Sequence, residues 1–302
     1  MRFRTDAKDM QRIFLVGCPR SGTTFVQATL ARHPQIFSLP ETSFFENILL
    51  DLDRRVHPQA SARPVAYHRN GWLVRTRSRR RARAALTTIA AGLGSATPTF
   101  LRCWSLQAGT QALVDMLDHS AAAQGCQAWL EKTPNHVHYV EEIRRYVPGV
   151  KFIHLLRNGE DVIASTLDAV MRYGNRGAAS AFDRGLSWWV DYWNRAMTIH
   201  RACVGQPEHC FVFYEDLVAD FENERRRLCK FIGVDSDCDL QSAQELNFGE
   251  EPWLKSAVSG RLLPARPKFD ALFGPKLQQW MRSHLLDYGE LRAEFLATQA
   301  LR

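Results

Sequence analysis

A short glycine-rich segment, Gly17–Thr24 with the sequence GCPRSGTT, most constrains what this chain can fold into. The apolar run that precedes it, Arg12–Val16, is typical of a buried parallel strand. Residues 22–32 then have the pattern of a helix that ends before a proline. A strand that enters a helix through such a turn presents backbone N–H groups and the positive end of the helix dipole to an anion. The segment therefore predicts an α/β fold with an anion-binding loop.

The loop lacks one residue that nucleotide-binding loops of this shape carry. In the pattern G-x-x-x-x-G-K-[ST] a lysine follows the second glycine, whereas Thr23 occupies that position here. The lysine contacts the β- and γ-phosphates of a nucleoside triphosphate, and the hydroxyl beside it holds Mg²⁺. Arg20 instead supplies positive charge from within the loop. We therefore expect a phosphate site unlike that for ATP or GTP, formed by Arg20, Ser21, Gly22, Thr23 and Thr24.

Strands and helices alternate along the rest of the chain. Further strands are expected at residues 127–134, 151–157 and 210–217, with helices between them. Such alternation predicts an α/β protein whose central parallel sheet is flanked by helices on both faces. Because no internal repeat or low-complexity linker interrupts the pattern, we expect residues 1–302 to form a single P-loop-type domain.

Three segments carry structural signals of their own. Ser43 is followed three residues later by Glu46, a capping-box pattern that places a helix start near Ser43. Residues 51–99 are basic with several prolines and glycines, and we expect a helical insertion there that carries substrate contacts. Residues 250–273 are basic and have the composition of a loop-rich tail.

The net charge of +7 indicates an anionic partner. Much of the excess lies in Arg75–Arg83, with the sequence RTRSRRRAR. Such a run can be a solvated helix face or a nucleic-acid contact. It has no interleaved aromatic residues and no recognisable nucleic-acid-binding motif accompanies it, which favours the solvated face. We therefore expect no nucleic-acid partner.

The sequence also indicates the cellular compartment in which the protein is expected to reside. No apolar run approaches the roughly 20 residues of a membrane span, and the segment before the first strand leaves no room for a signal peptide or anchor. The seven cysteines lack the spacing of zinc ligands or C-x-x-C pairs, so free thiols are expected. We expect a cytoplasmic protein without stable membrane insertion.

A second anion site is suggested by the sequence LLRNGEDVIAST. Arg157 lies at the end of the strand predicted at residues 151–157, and Ser165 lies eight residues later, about two turns into the next helix. The two side chains could approach one phosphate from two sides. An arginine at a strand end can equally serve a structural ion pair, so the segment is weak when taken alone.

With these segments in hand, the chain resembles the sulfotransferases that use 3′-phosphoadenosine 5′-phosphosulfate (PAPS). The match is best to the branch carrying P-R-S-G-T-T, which includes the tyrosylprotein sulfotransferases and many bacterial enzymes. The similarity extends from about Ile13 to Leu217. Its motifs are specific for the sulfuryl donor and do not identify the acceptor. Five segments match in order: GCPRSGTT, LPETSFF, LEKTPNH, FIHLLRNGEDVIAST and the less diagnostic YEDL.

The resemblance implies PAPS as the donor, adenosine 3′,5′-bisphosphate (PAP) as the product and no metal, because the loop of these enzymes holds the 5′-phosphosulfate. It implies that Arg20 steadies the phosphosulfate and that Lys132 reaches the bridging oxygen or the leaving phosphate. It also places Arg157 and Ser165 on the 3′-phosphate. The reaction would be in-line transfer of a sulfuryl group to an acceptor hydroxyl. From its own composition, the basic insertion suits an anionic or polyhydroxyl acceptor, such as a glycan, a glycolipid or a secondary metabolite.

Glu41 is the candidate general base. Its spacing of twenty-one residues from Arg20 agrees with the catalytic glutamate of the tyrosylprotein enzymes. A carboxylate just ahead of a helix can accept the acceptor's proton, and burial there would make it more basic. The competitors are His136 and His138, since other sulfotransferases use a histidine. Glu41 could also simply be a favourable charge at a helix N-terminus.

Adenine is expected to lie against an aromatic ring, and the candidates are Trp188, Trp189 and Trp193. Their spacing is also that of a buried helix face, which favours the core. The resemblance further implies that a basic tail closes over the 3′-phosphate. Its candidate residues are Lys255, Arg261 and Lys268.

Two other functions remain open from the residues. A P-loop kinase or NTPase would need Mg²⁺ and an acidic residue after an apolar strand, which Glu215 or Asp216 could provide. A non-enzymatic anion- or nucleic-acid-binding protein would use the Arg75–Arg83 run and bind with a steep salt dependence. The missing loop lysine counts against the kinase.

Overall fold

In a computed structural model of the protein, the structure describes residues 10–58, 76–94, 105–173, 184–240 and 268–300. Five strands form one sheet in the order β2-β3-β1-β4-β5, and every neighbouring pair is parallel. This confirms the predicted α/β fold with a central parallel sheet. The strands are β1 (Gln11–Gly17), β2 (Ile36–Ser38), β3 (Ala128–Lys132), β4 (Val150–Leu156) and β5 (His209–Phe213).

The helices lie between and after the strands. No helix among the described residues is both long enough and apolar enough to cross a bilayer. A 3₁₀-helix, Pro134–Tyr139, follows β3. The helices are α1 (Thr23–Leu30), α2 (Phe44–Leu49), α3 (Leu52–Val56), α4 (Thr76–Gly92), α5 (Leu106–Ala123), α6 (Val140–Tyr146), α7 (Gly159–Tyr173), α8 (Leu186–Ala202), α9 (Tyr214–Ala219), α10 (Phe221–Ile232), α11 (Lys268–Leu272), α12 (Pro275–His284) and α13 (Tyr288–Ala300).

The central strand β1 is buried on both faces of the sheet, which is why its sequence is continuously apolar. Phe14 and Val16 belong to one core with side chains from α2, α4, α5 and α8, whereas Ile13 and Leu15 belong to a second core with α1 and α10. Successive side chains of a strand point to opposite faces, so these two cores lie on opposite sides of the sheet. Helices therefore cover both faces, as the sequence predicted.

One local prediction was wrong, and another was confirmed for a different structural reason. The strand expected at residues 210–217 ends at Phe213, and Tyr214 begins α9. Ser43 does stand at the start of α2, but it adopts a left-handed backbone conformation with φ 45° and its side chain makes no capping hydrogen bond. The backbone N–H of Ser43 donates instead to Thr133 Oγ1, at 3.1 Å. This long-range contact fixes the turn and leaves the local capping box unformed.

The basic run is described from residue 76 onward, where it forms the first half of α4. Arg80, Arg81 and Arg83 are exposed, whereas Ala82 and Leu86 are buried against the core. The arginines thus occupy the polar side of an amphipathic helix, as the solvated-face interpretation requires.

Three histidine side chains are in contact with one another where β4, β5 and α8 meet. His154 on β4 is hydrogen-bonded through Nδ1 to His200 Nδ1 on α8, and through Nε2 to His209 Nδ1 on β5, both at 2.7 Å. All three residues are buried. Burial lowers the pKa of His200 to about 3 and that of His209 to about 4, although the nearby Glu208 carboxylate opposes the shift for His209. The pKa of His154 is also lowered well below its ordinary value by burial and by the two neighbouring imidazoles.

This cluster is expected to make the fold sensitive to acid. Below the ordinary histidine pKa of about 6.5, the unfolded chain takes up protons that the folded chain rejects, so the free energy of unfolding falls as pH falls. Each imidazole contributes up to about 1.4 kcal/mol per pH unit between about 6.5 and its lowered pKa. Urea unfolding at a series of pH values between 7.5 and 5 measures the slope.

The matched variants for that measurement are His200→Gln, inside the cluster, and His119→Gln at an exposed position of α5. The slope should become shallower in His200→Gln and stay unchanged in His119→Gln. Equal slopes in the wild type and both variants would contradict the assignment of acid sensitivity to the imidazole cluster.

Candidate active site

The glycine-rich loop runs from the carboxyl end of β1 into α1, at the edge of a parallel sheet where ligands bind in α/β folds. Gly17 pairs with Leu155 of β4, and a Cβ on Gly17 would stand 2.4 Å from the Leu155 carbonyl oxygen. Gly22 occupies the N-cap of α1 with φ 103°, which only glycine adopts without strain. The two glycines thus let the loop turn closely around the end of the sheet.

The loop residues have different environments. Ser21 is buried, and its hydroxyl donates to the Cys18 carbonyl at 2.7 Å, so it holds the turn together. Arg20 has a left-handed backbone with φ 70°, which is uncommon for a residue with a side chain. Thr23 is buried and Thr24 is partly exposed. The first N–H groups of a helix have no intrahelical acceptor, so the start of α1 faces the loop's concavity with unused donors.

The two predicted anion-binding segments meet. Arg20 Nε donates to Ser165 Oγ of α7 at 3.4 Å, and Arg157 Nη1 donates to the Arg20 carbonyl oxygen at 3.3 Å. Arg157 also forms an ion pair with Asp161 of α7, at 3.4 Å. The structure therefore brings two guanidinium groups, one hydroxyl and the positive end of α1 to one edge of the sheet, where they can hold an anion.

Tyr214 is a neighbour of this site that sequence reasoning did not single out. The Arg157 guanidinium lies over the Tyr214 ring, 4.1 Å from its centroid. The same ring leaves no room for a side chain at position 22, since a Cβ there would be 2.9 Å from Tyr214 Cδ2. The available signal was its place directly after the apolar strand β5, beside the carboxyl ends of β1 and β4.

Lys132 and Glu41 form an ion pair, and the Lys132 ammonium also donates to Thr24 Oγ1 at 3.3 Å. The Lys132 side chain is fully buried, whereas 42% of the Glu41 side chain is exposed. The burial that was expected for Glu41 is therefore absent, because the loop between β2 and α2 carries it at the surface. The structure does place Glu41 beside the predicted lysine, and the lysine beside the glycine-rich loop.

The neighbouring carboxylate, Glu131, faces the other side of β3 and is completely buried. It accepts hydrogen bonds from Thr133 Oγ1 at 2.6 Å and from Thr42 Oγ1 at 2.8 Å, and it pairs with His136 Nδ1 at 3.0 Å. Burial alone would raise the pKa of Glu131, but His136, Thr133 and Thr42 hold it below its ordinary value. Glu131 therefore stays ionised and fixes the loop that carries Glu41.

The two competing histidines have structural surroundings. His136 Nδ1 faces Glu131, and its Nε2 accepts from the Phe45 backbone N–H at 3.3 Å, so both ring nitrogens are engaged. His138 is buried against Tyr192, and burial with nearby positive charge lowers its pKa to about 3. Neither imidazole is arranged to take a proton from a substrate at neutral pH.

The tryptophan and tail candidates are only partly described. Trp189 and Trp193 are buried in the core, in line with the alternative that their spacing suggested, and Trp193 Nε1 donates to the Arg157 carbonyl at 3.1 Å. Trp188 is partly buried against the same core. Lys268 donates to Asp168 of α7 at 2.5 Å. The other two tail candidates, Lys255 and Arg261, lie outside the described residues.

The acidic residues considered for a kinase are engaged elsewhere. Glu215 accepts from the Asn158 backbone N–H at 3.3 Å and from the Tyr288 hydroxyl at 2.7 Å. Asp216 pairs with Arg292 of α13. Both carboxylates thus fasten α9 to its neighbours, a role that differs from holding Mg²⁺ beside a nucleotide.

Comparison with known proteins adds three similarities. Protein-tyrosine sulfotransferase 1 of Danio rerio is 28% identical over 229 residues, which cover 75% of this chain and 54% of that protein. Protein-tyrosine sulfotransferase 2 of Gallus gallus is 25% identical over 236 residues, covering 76% and 52%. The chain therefore spans about half the length of the curated relatives that it matches. The sulfotransferase domain of the Synechococcus PCC 7002 olefin synthase is a similar solved structure, with 20% identity, a TM-score of 0.49, and coverage of 93% of this chain and 98% of that domain.

The profile of the sulfotransferase family matches residues 12–238. This range begins in β1 and ends after α10, so it includes the glycine-rich loop, Glu41, Lys132 and Arg157. It covers well over half of the chain. The chain belongs to the sulfotransferase family.

Proposed function

We propose that this protein transfers a sulfuryl group from PAPS to the hydroxyl of an acceptor molecule. The observation that carries the proposal is the continuous line of contacts from Glu41 through Lys132 to Thr24 of the loop. It joins a carboxylate that can accept a proton to a cation that can stabilise a departing phosphate. Family membership supports the same reaction.

The donor's two phosphate positions fit two groups of residues. The 5′-phosphosulfate is assigned to the loop, where Arg20 and the N–H groups at the start of α1 offer charge and donors without a lysine or a metal. The 3′-phosphate is assigned to Arg157 and Ser165. Both side chains contact Arg20, so the two anionic ends of one small ligand can be held together.

In the reaction, the acceptor oxygen forms a bond to sulfur while the bond from sulfur to the bridging phosphate oxygen breaks. The acceptor proton goes to Glu41, and the bridging electrons remain on PAP. Lys132 is buried next to the loop and neutralises charge that develops on the leaving phosphate. Its contact with Glu41 also orients the carboxylate. The residues thus supply positioning, charge stabilisation and a base.

The first experiment is calorimetric titration of the protein with PAP, with ATP and Mg²⁺ in parallel. We expect micromolar or tighter PAP binding without metal. Arg157→Ala is expected to weaken it by about 10- to 100-fold, because the charge-assisted contact proposed between this partly buried guanidinium and the 3′-phosphate is lost. The matched control is Arg172→Ala, an exposed arginine farther along α7, which should bind PAP like the wild type.

The opposite results are informative. Binding of ATP with Mg²⁺ together with indifference to PAP would favour a kinase or NTPase. Tight, salt-sensitive binding of DNA or RNA without PAP binding would favour the non-enzymatic alternative.

A cytoplasmic location remains our proposal, on the ground that the six cysteines among the described residues are free thiols.

A further inference from the structure

A cavity of about 470 Å³ lies between the loop that precedes α2 and the helix α4. Its volume is in the range of sites for small organic ligands, roughly 300–1,000 Å³. Most of its wall is apolar, with one face from the loop and one from the helix. The apolar lining consists mainly of Leu39, Pro40, Ala84, Ala85, Ile89 and Leu93.

The sequence of α4 explains why this wall is apolar although the helix is basic. Along α4 and the residue that follows it, the numbers of the cavity-lining residues differ alternately by three and by one. Residues with this spacing lie on one side of a helix. Ala84, Ala85 and Ile89 occupy the middle of that side, and Arg81 stands at its beginning. Of the exposed arginines described on α4, Arg81 lines the cavity, whereas Arg80 and Arg83 do not.

Glu41 forms part of the cavity wall. It is the same carboxylate that pairs with Lys132, which in turn contacts the glycine-rich loop. The cavity therefore includes the proposed base in its wall, and no residue of the glycine-rich loop lines it. A molecule seated in it would present a hydroxyl to Glu41 while its body lay against α4.

We propose that the acceptor is an alcohol or phenol with an apolar body, and that this body binds between Pro40 and α4. The inference rests on the proposed sulfotransferase function and narrows its acceptor. The wall is mostly apolar and offers only a few polar side chains, among them Asn47, Arg81 and Thr88. A sugar would lose more hydrogen bonds to water than these few groups replace, whereas an apolar body gains from leaving water. The expectation that a basic insertion selects an anionic or polyhydroxyl acceptor is thus replaced by selection through the apolar side of α4.

The test uses four probes with PAPS and the full chain: 1-octanol, 2-naphthol, methyl glucoside and an acidic tyrosine-containing peptide. Sulfated product is measured by mass spectrometry over a range of acceptor concentrations. We expect the octanol and naphthol to be sulfated with kcat/KM at least about tenfold above the glucoside and the peptide.

Variants of α4 link that preference to the cavity. Ala85→Trp fills it, and Ala84→Trp does so from a more exposed position, which protects the test against a folding defect. Each is expected to raise KM for 2-naphthol about tenfold or more with PAP affinity unchanged. Ala91→Trp, on the exposed side of the same helix, is the matched control and should behave like the wild type.

The outcomes separate this inference from the function on which it rests. If PAP binds but the glucoside or the peptide is the better acceptor, the cavity assignment is wrong and the sulfotransferase proposal stands. The same holds if both tryptophan variants match Ala91→Trp. If PAP does not bind to the wild type, the proposed function fails first, and the acceptor assignment falls with it.

Discussion

Replacing Glu41 with glutamine is expected to lower kcat by about 10²- to 10⁴-fold, the range that a positioned general base contributes. Glutamine keeps the size of the side chain and a hydrogen bond to Lys132, but it cannot take the acceptor's proton. The affinity for PAP should stay close to that of the wild type, because Glu41 does not contact Arg157 or Ser165 in the described structure. Steady-state kinetics with 2-naphthol and PAP calorimetry measure the two quantities.

The control for that experiment is Glu141→Gln on α6, since this carboxylate is 80% exposed and pairs only with Arg144 among the contacts seen for it. It should leave kcat unchanged. Near-normal turnover in Glu41→Gln would show that another group accepts the proton.

Replacing Lys132 with methionine is expected to lower kcat by about 10²- to 10³-fold, as loss of one preorganised charge at a transition state typically does. Methionine has similar length and fills the buried space without the charge. Lys132 is completely buried and contacts both Glu41 and Thr24, so the substitution removes the only ammonium seen between the carboxylate and the loop in the described part of the chain. Single-turnover measurements with PAPS isolate the chemical step.

Lys276→Met on α12 provides the matched control, because this lysine is exposed and far along the chain from the site. The double variant with Glu41→Gln adds a second check. If the two residues act as a unit, the combined loss should be much smaller than the product of the single losses. Fully multiplicative losses would mean that the ion pair has no joint role.

The loop and four of the five strands were predictable from sequence because each depends on local pattern, whereas the three-residue strand β2 was not predicted. The apolar run before Gly17 has no polar alternation, and the chain turns directly afterwards, so both the buried strand and the turn could be inferred. The same reasoning found Arg157, since it stands at the end of an equally apolar strand. Local sequence also placed the start of α2, though for the wrong reason at Ser43.

The remaining features depend on contacts between distant segments. Tyr214 meets Arg157 only because β4 and β5 are neighbours in the sheet, an order that the sequence does not state. Glu131 and Lys132 are adjacent in sequence, yet one faces the core and the other faces the loop. The predicted burial of Glu41 failed for a related reason: Thr42 is anchored by Glu131, and this contact leaves the preceding residue at the surface.

The close approach of Gly17 to Leu155 limits how this site can be engineered. The backbone of β1 fits against the Leu155 carbonyl without space for a side chain, and the residues that follow on β4 lead directly to Arg157. The eight-residue loop therefore cannot be grafted into another scaffold as an independent cassette. A transplant of the anion-binding part of the site must carry both strands in their native register, so the smallest transferable anion-binding module is the strand pair β1 and β4 with the two helices that follow them.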